Sequence, residues 1–174
     1  LFPWISRMIM LGLYRTGKIP FKDTYFNGLV LDENGQKMSK SKGNVINPIE
    51  ILSQYGSDAL RLGIVANRSA AQNQALSMGK IIAGRNYCNK LWNISRFIGD
   101  KLGDDFTPSN TPQAKSLADH WIISELNKTC LEIGNHLDKF RFAEASEALY
   151  HTVWDSVADW YIEASKATLN KDLL

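Results

Sequence analysis

Apolar side chains recur at three-to-four-residue spacing in several stretches of this chain, and the residues between those stretches are those of turns. Trp4, Met8, Leu11 and Tyr14 share one face of a helix that Gly17 stops and Pro20 keeps from resuming. Thr24 to Leu31 is short and rich in aromatic and β-branched residues, which predicts a strand. It is mostly apolar rather than alternating, as a strand buried on both faces of a parallel sheet would be. Asp32-Glu33-Asn34-Gly35 supplies a tight reversal, because Asn-Gly accepts the positive φ of hairpin turns. Lys37 to Asn44 is polar and glycine-punctuated, hence a loop. Asn47-Pro48-Ile49-Glu50 starts a short helix, with Asn47 as cap, Pro48 at the first helical position and Glu50 at the third. Gly56 closes it, Ser57 caps the next, and the small polar stretch from Asn67 to Gln74 makes a linker.

Beyond the linker the pattern is helical throughout. Met78, Ile81, Cys88, Leu91, Trp92, Ser95 and Ile98 form one stripe, opposite Lys80, Asn86, Asn89, Lys90, Asn93 and Arg96. The stretch from Gly103 to Pro112 breaks the period. A second stripe runs through Ile122, Leu126, Cys130, Ile133 and Leu137, and a third through Phe142, Ala145, Leu149, Val153, Val157, Trp160 and Ala164. Three amphipathic helices of about 25 residues on short connections predict an antiparallel bundle. The helix and buried strand before them suit the tail of a Rossmann-like, doubly wound nucleotide-binding fold. The expected class is therefore mainly α: one or two strands and a hairpin from an α/β fold, then a helical bundle.

Composition narrows the functional classes. With 44% hydrophobic and 22% charged residues the chain is that of a globular protein, and no window approaches the roughly 18 unbroken apolar residues of a membrane span. The apolar start lacks the order of a signal peptide, since it has no basic opening and Arg7 interrupts it. It also lacks an initiator Met, as a piece of a longer chain would. Cys88 and Cys130 have no metal-type spacing and fall on apolar helical stripes, which reads as reduced core thiols in a cytoplasmic protein. Charge is uneven. Residues 1–102 carry fourteen Lys and Arg against six Asp and Glu, and residues 103–174 carry six against twelve. Two explanations fit: a polyanion contacting one side of the molecule, or a drift of charge along solvated helices.

Lys37-Met38-Ser39-Lys40-Ser41 carries the most chemistry. With Lys42, three lysines fall within six residues, interleaved with serines and followed by Gly43. Crowded ammonium groups repel one another, and a triphosphate would relieve that repulsion. Lysine is a compact charge that can follow a moving phosphate, where arginine grips a planar fork. Serine hydroxyls and glycine-exposed N–H groups add donors. Taken only as charges, the loop reads first as a solvated basic hairpin, because lysine-rich loops are common.

The full string is more specific. Gly28-Leu29-Val30-Leu31-Asp32, then the run from Gln36 to Pro48, then Tyr55-Gly56-Ser57-Asp58-Ala59-Leu60-Arg61 resemble, in order and spacing, the KMSKS signature region of class I aminoacyl-tRNA synthetases. Gly84 to Asn93, Leu117 to Ile122 and Asp159 to Glu163 look like the valyl branch, with the isoleucyl branch as runner-up. Phe2 to Met10 is similar to the helix before the strand in those enzymes. The resemblance spans essentially the whole chain. It implies that the loop closes over ATP and that Lys40 stabilises the phosphates as the aminoacyl-adenylate forms, with Lys37 a lesser catalytic candidate. Met38, Ser39 and Ser41 would complete the ATP contact, and the backbone of Gly28, Leu29 and Val30 would lie against adenine. Asn27 stands where the family has a histidine.

The family's His-x-Gly-His element is absent from the chain, as is its editing insertion, so the expected object is a fragment. Residues 1–45 would end the catalytic fold, 46–76 would connect it, and 77–174 would begin an incomplete anticodon-binding domain. The resemblance implies a monomeric valine–tRNA ligase using ATP and Mg²⁺, with valine and its tRNA as further partners. The other functional class is a non-catalytic RNA-binding helical module. For tRNA, the polar face Arg85, Asn86, Asn89, Lys90, Asn93 and Arg96 offers phosphate-pairing cations and amides that reach base or ribose edges. The alternative for Arg85 and Asn89 is pairing with neighbouring helices. His120, His136 and His151 read as surface or helix-end residues, Asp104-Asp105 as a solvated turn, and Trp92, Trp121, Trp154 and Trp160 as helix-packing residues rather than stacking platforms.

Overall fold

Helices dominate the chain, and a single short parallel ladder is the described remnant of sheet. The computed structural model describes residues 2–66, 70–107, 111, 113–167, 170–171 and 173. Helix α1 is Phe2–Thr16, strand β1 Val30–Leu31, α2 Pro48–Tyr55, α3 Ser57–Val65 and β2 Gln74–Ala75. The bundle follows as α4 Met78–Leu102, α5 Leu117–Asp138 and α6 Phe142–His151; α6 runs on through a π-helical stretch, Thr152–Tyr161, into α7, Ile162–Ser165.

Helix α1 ends as its sequence requires, with Gly17 at φ +65° and its N–H donating to the Leu13 carbonyl at 2.9 Å. Its apolar stripe lies open: Trp4, Met8, Leu11 and Tyr14 are all exposed. The strand is shorter than its composition predicts. Only Val30 and Leu31 form a ladder, in parallel with Gln74 and Ala75, because that partner offers just two residues. Gln74 thus belongs to the sheet rather than to a linker, while Asn67, Arg68 and Ser69 lie outside the described residues, as do Pro108 and Pro112 of the second predicted break. The Asp32–Gly35 reversal returns the chain so that Lys37 bridges Leu31 in antiparallel sense.

Behind the ladder sits a small core. Ile51 from α2, Ala59 from α3, Leu76 beside β2 and Ile81 from α4 are buried together, with Val30, Met38, Ile46 and Tyr55 packed against them. Asn47 caps α2 as read, its Oδ1 accepting from the Ile49 N–H at 3.1 Å. Ser57 is the first residue of α3, and Gly56 is the cap. Helices α3 and α4 cross closely because Gly84 presents no side chain: a Cβ there would stand 2.7 Å from the Ala59 carbonyl oxygen.

The bundle corrects the predicted stripes in detail. On α4 the buried residues are Ile81, Gly84 and Tyr87, while Leu91 and Trp92 are exposed. In the third helix Ala145 is buried as the stripe predicts, but beyond it the buried positions are Thr152, Ala158, Tyr161, Ile162 and Ser165. The cause is the π-helical stretch, where the Ile162 N–H reaches back five residues to the Val157 carbonyl. More residues fit each turn, the apolar face advances, and Trp160 is left 70% exposed. Trp92 and Trp160 are therefore not packing residues here; Trp154 is, stacked on Tyr150 at 5.5 Å. Cys88 is half-buried, with its thiol pushed up by burial, but Cys130 is exposed and not a core residue.

The two halves meet at the α5–α6 turn. Phe140 takes a positive φ of 57° there, and Tyr25 packs on Phe140 at 6.0 Å and on Phe142 at 5.2 Å. At the far end a buried carboxylate organises the bundle. Asp119 is 3% exposed and closes a capping box with Ser116, accepting from the N–H groups of Lys115 at 2.8 Å and Ser116 at 3.1 Å. It also accepts from the Tyr161 hydroxyl at 3.0 Å and the Asn170 amide at 2.8 Å. Burial pushes this carboxyl up, but the hydrogen bonds from Asn170, Lys115, Tyr161 and Ser116 outweigh it and hold the group down at about 2.

Candidate active site

The lysine loop is built on Asp32. One of its oxygens, Oδ1, accepts from the backbone N–H groups of Asn34 at 3.0 Å and Gln36 at 2.7 Å, which shapes the reversal before the loop. The other, Oδ2, accepts from the side-chain amide of Asn44 at 2.7 Å. The Asn44 amide, the Gln36 N–H and the Asn34 N–H hold the Asp32 carboxyl below the usual carboxylate range.

Asn44 in turn spans the loop. Its Oδ1 accepts from the Ser39 N–H at 2.9 Å, and its Nδ2 donates to the Lys37 carbonyl at 3.3 Å as well as to Asp32. Lys40–Lys42 forms a 3₁₀ turn closed by Gly43 at φ +67°, whose N–H donates to the Lys40 carbonyl at 3.2 Å. The hydroxyls of Ser39 and Ser41 share a hydrogen bond of 3.3 Å. Met38 points the other way and packs against the small core. Lys37, Lys40, Ser41 and Lys42 are exposed. A polar loop is thus pinned by one apolar side chain and one bridging amide, with its cations directed to solvent.

Gly28, Leu29 and Val30 lead into this loop. Leu29 donates its N–H to Asn73 Oδ1 at 2.9 Å and accepts from the Gln74 N–H at 2.9 Å, and Gly28 lies where a side chain would meet the Gln72 carbonyl. Asn27 is exposed. Asp58 and Arg61 form an exposed ion pair of 3.8 Å, a contact that contributes little.

The polar face of α4 divides into two sets. Asn86, Asn89, Asn93 and Arg96 are exposed. Arg85 sets its guanidinium over the Tyr55 ring at 5.5 Å, with a buried Nε that has no partner among the described residues. Lys90 pairs with Asp159 at 2.7 Å and lies over the Trp154 ring at 4.9 Å. A cavity of about 320 Å³ opens between α3, α4 and α6, bordered by Leu62, Lys80, Tyr87 and Tyr150 and by none of the loop residues. His136 lies in the last turn of α5 beside Glu132, and His151 is exposed beside Asp155 where α6 runs on into the π-helical stretch. The sequence does not mark the roles of Asp32, Asn44 or Asp119 directly; the available signals were an acid two residues before Asn-Gly, an asparagine just after the loop glycine, and the Ser-x-x-Asp box.

Residues 1–77 match the family model described as tRNA synthetases class I (I, L, M and V), and residues 119–173 match the anticodon-binding domain of tRNA ligase. The chain is 43% identical over 170 residues to Valine–tRNA ligase of Bacillus thuringiensis subsp. konkukian, covering 97% of this chain and 19% of that protein. The chain belongs to the class I aminoacyl-tRNA synthetases. To Valine–tRNA ligase of Syntrophotalea carbinolica this synthetase chain is 44% identical over 172 residues, again covering 97% of itself and 19% of the relative. It spans about a fifth of the length of the curated relatives it matches. The same fold appears in LeuRS of Agrobacterium radiobacter, solved as a ternary complex with tRNA and LeuAMS, with a TM-score of 0.79 at 19% identity over 97% of this chain and 21% of that one. No helix among the described residues is long and apolar enough to cross a membrane.

Proposed function

We propose that this synthetase chain is the part of a valine–tRNA ligase that supplies the ATP-closing loop and the first helices of its anticodon-binding bundle. The observation that carries the reading is the loop itself: three exposed lysines on a pinned polar turn, in a chain more than 40% identical to valine–tRNA ligases along nearly its whole length. The intact enzyme would activate valine with ATP in the cytoplasm, as a monomer, and pass it to tRNA. Lys40 meets charge developing on the α-phosphate as pyrophosphate departs, with Lys37 beside it as a secondary phosphate contact. Ser39, Ser41 and the backbone at Met38 add donors, and the strand end at Gly28, Leu29 and Val30 lies against adenine.

Mg²⁺ enters with ATP as part of the nucleotide complex. The described residues gather no group of three or more His, Cys, Asp or Glu fit to hold a metal ion of their own. Residues 1–45 end the catalytic fold, 46–76 connect it, and 77–174 begin the tRNA-binding bundle. Within the α4 face, Asn86, Asn89, Asn93 and Arg96 make the outward contacts to tRNA, while Arg85 and Lys90 stand behind them. Amino-acid-dependent pyrophosphate exchange by the intact enzyme tests the assignment. Exchange driven by valine well above isoleucine is expected; exchange driven by isoleucine above valine, or by neither, would refute it.

A further inference from the structure

The side chain of Asn44 makes three hydrogen bonds, and each engages a different part of the loop's frame. Its oxygen takes the Ser39 N–H, one residue before Lys40. Its nitrogen gives to the Lys37 carbonyl at the loop's entry and to Asp32 in the strand's continuation. Asp32, through its other oxygen, fixes the N–H groups of Asn34 and Gln36 in the reversal. The two acceptor lone pairs and two donor hydrogens of an asparagine amide can serve all of these at once, whereas a carboxylate offers no donor and an aliphatic side chain offers neither. Only the backbone of the 3₁₀ turn and Gly43 lies between the clasped positions, so Lys40 is carried on a short closed ring rather than on a free loop.

We infer that Asn44 is a positioning residue for adenylate formation: clamped by Asp32, its amide ties the entry and exit of the lysine loop so that Lys40 is presented to the α-phosphate by a preformed turn. Asp32 is the fixed post of this clasp. The inference rests on the reading that the loop serves ATP. An ammonium group on a flexible four-carbon stem pays for disorder each time it must find a transition state, and a preformed turn removes much of that cost. The clasp does not touch substrate. Its effect therefore belongs to the rate of the chemical step and not to the initial affinity for ATP.

A donor–acceptor exchange tests this in the intact enzyme, by single-turnover adenylate formation, ATP affinity and melting temperature measured together. Asn44→Ala should slow adenylate formation by roughly 10- to 100-fold while ATP affinity and melting temperature change little. Asn44→Asp sets two carboxylates against each other, and Asp32→Asn sets two amide donors against each other, so each single change should be slow as well. The double variant Asp32→Asn/Asn44→Asp restores one donor facing one acceptor and keeps an acceptor for the Ser39 N–H, but it gives up the bond to the Lys37 carbonyl. It should recover part of the lost rate and run faster than either single variant. Wild-type rates in Asn44→Ala, or a double variant no faster than the slower single one, would overturn the proposal. So would variants that melt early yet react normally per folded molecule, since the clasp would then only hold the fold. If the enzyme activates another amino acid and still shows the slow singles and recovered double, the valine assignment fails and the clasp stands.

Discussion

Asp119 shows how one side chain can be decisive without touching chemistry. It is buried, and four donors converge on it from the start of α5, from the π-helical stretch and from Asn170. A carboxyl held at about 2, below its ordinary 3.8, stabilises the fold fully above its unfolded value, and the contribution disappears as pH falls through the folded one. At 1.36 kcal/mol per pH unit this is about 2 kcal/mol. The stability of the protein should therefore fall between roughly pH 4 and pH 2 by that amount, and Asp119→Asn should lose stability at neutral pH and flatten the acid limb. Denaturant titrations across that range check it; an unchanged acid limb in the variant would assign the acid sensitivity to other carboxylates. Tyr161, pushed up by burial and by Asp119, stays a hydroxyl donor throughout.

At the scale of elements, α4 carries two roles on one surface. Arg85 and Lys90 reach Tyr55, Trp154 and Asp159 on neighbouring elements, while Arg96 projects to solvent. Arg85→Ala should lower the melting temperature and leave the salt dependence of tRNA binding intact. Arg96→Ala should do the reverse, flattening the slope by roughly one unit for the lost phosphate contact. Paired melting curves and salt titrations separate the two, and exchanged outcomes would move the RNA face to the Arg85 side. The division could not be read from the sequence, because both arginines sit on the polar side of the same helical wheel. The helices themselves were legible, since periodicity reports them directly, and so were the Asn47 cap and the lysine loop. The buried line of α4 was misjudged because Gly84, its closest contact, has no hydrophobic signal. The third helix lost its stripe where i→i+5 bonding broke the 3.6 period. Strand β2 was missed because two residues, Gln74 and Ala75, gain their state from a partner more than forty positions away. The Asn44 clasp escaped for a similar reason: its bonds join residues five, seven and twelve positions apart, which no local pattern encodes.

Over the whole molecule, the basic half holds both the loop and α4, and the acidic half forms α5 to α7. In the proposed function that asymmetry offers a polyanion one favourable side, and the Tyr25–Phe140–Phe142 contact joins the segment before β1 to the bundle corner. The loop and the bundle are thereby parts of one framework; on the proposed reading ATP is approached by the first and tRNA by the second. In the proposed function the loop is a catalytic device and not a solvated hairpin, and Lys40 carries its chemistry. Single-turnover formation of valyl-adenylate by the intact enzyme, with Lys40→Ala beside the wild type, is the most direct measurement. The variant's rate constant should be lower by on the order of 10²-fold or more, with ATP affinity changed much less. An unchanged rate constant, or equal losses in rate and affinity, would contradict it.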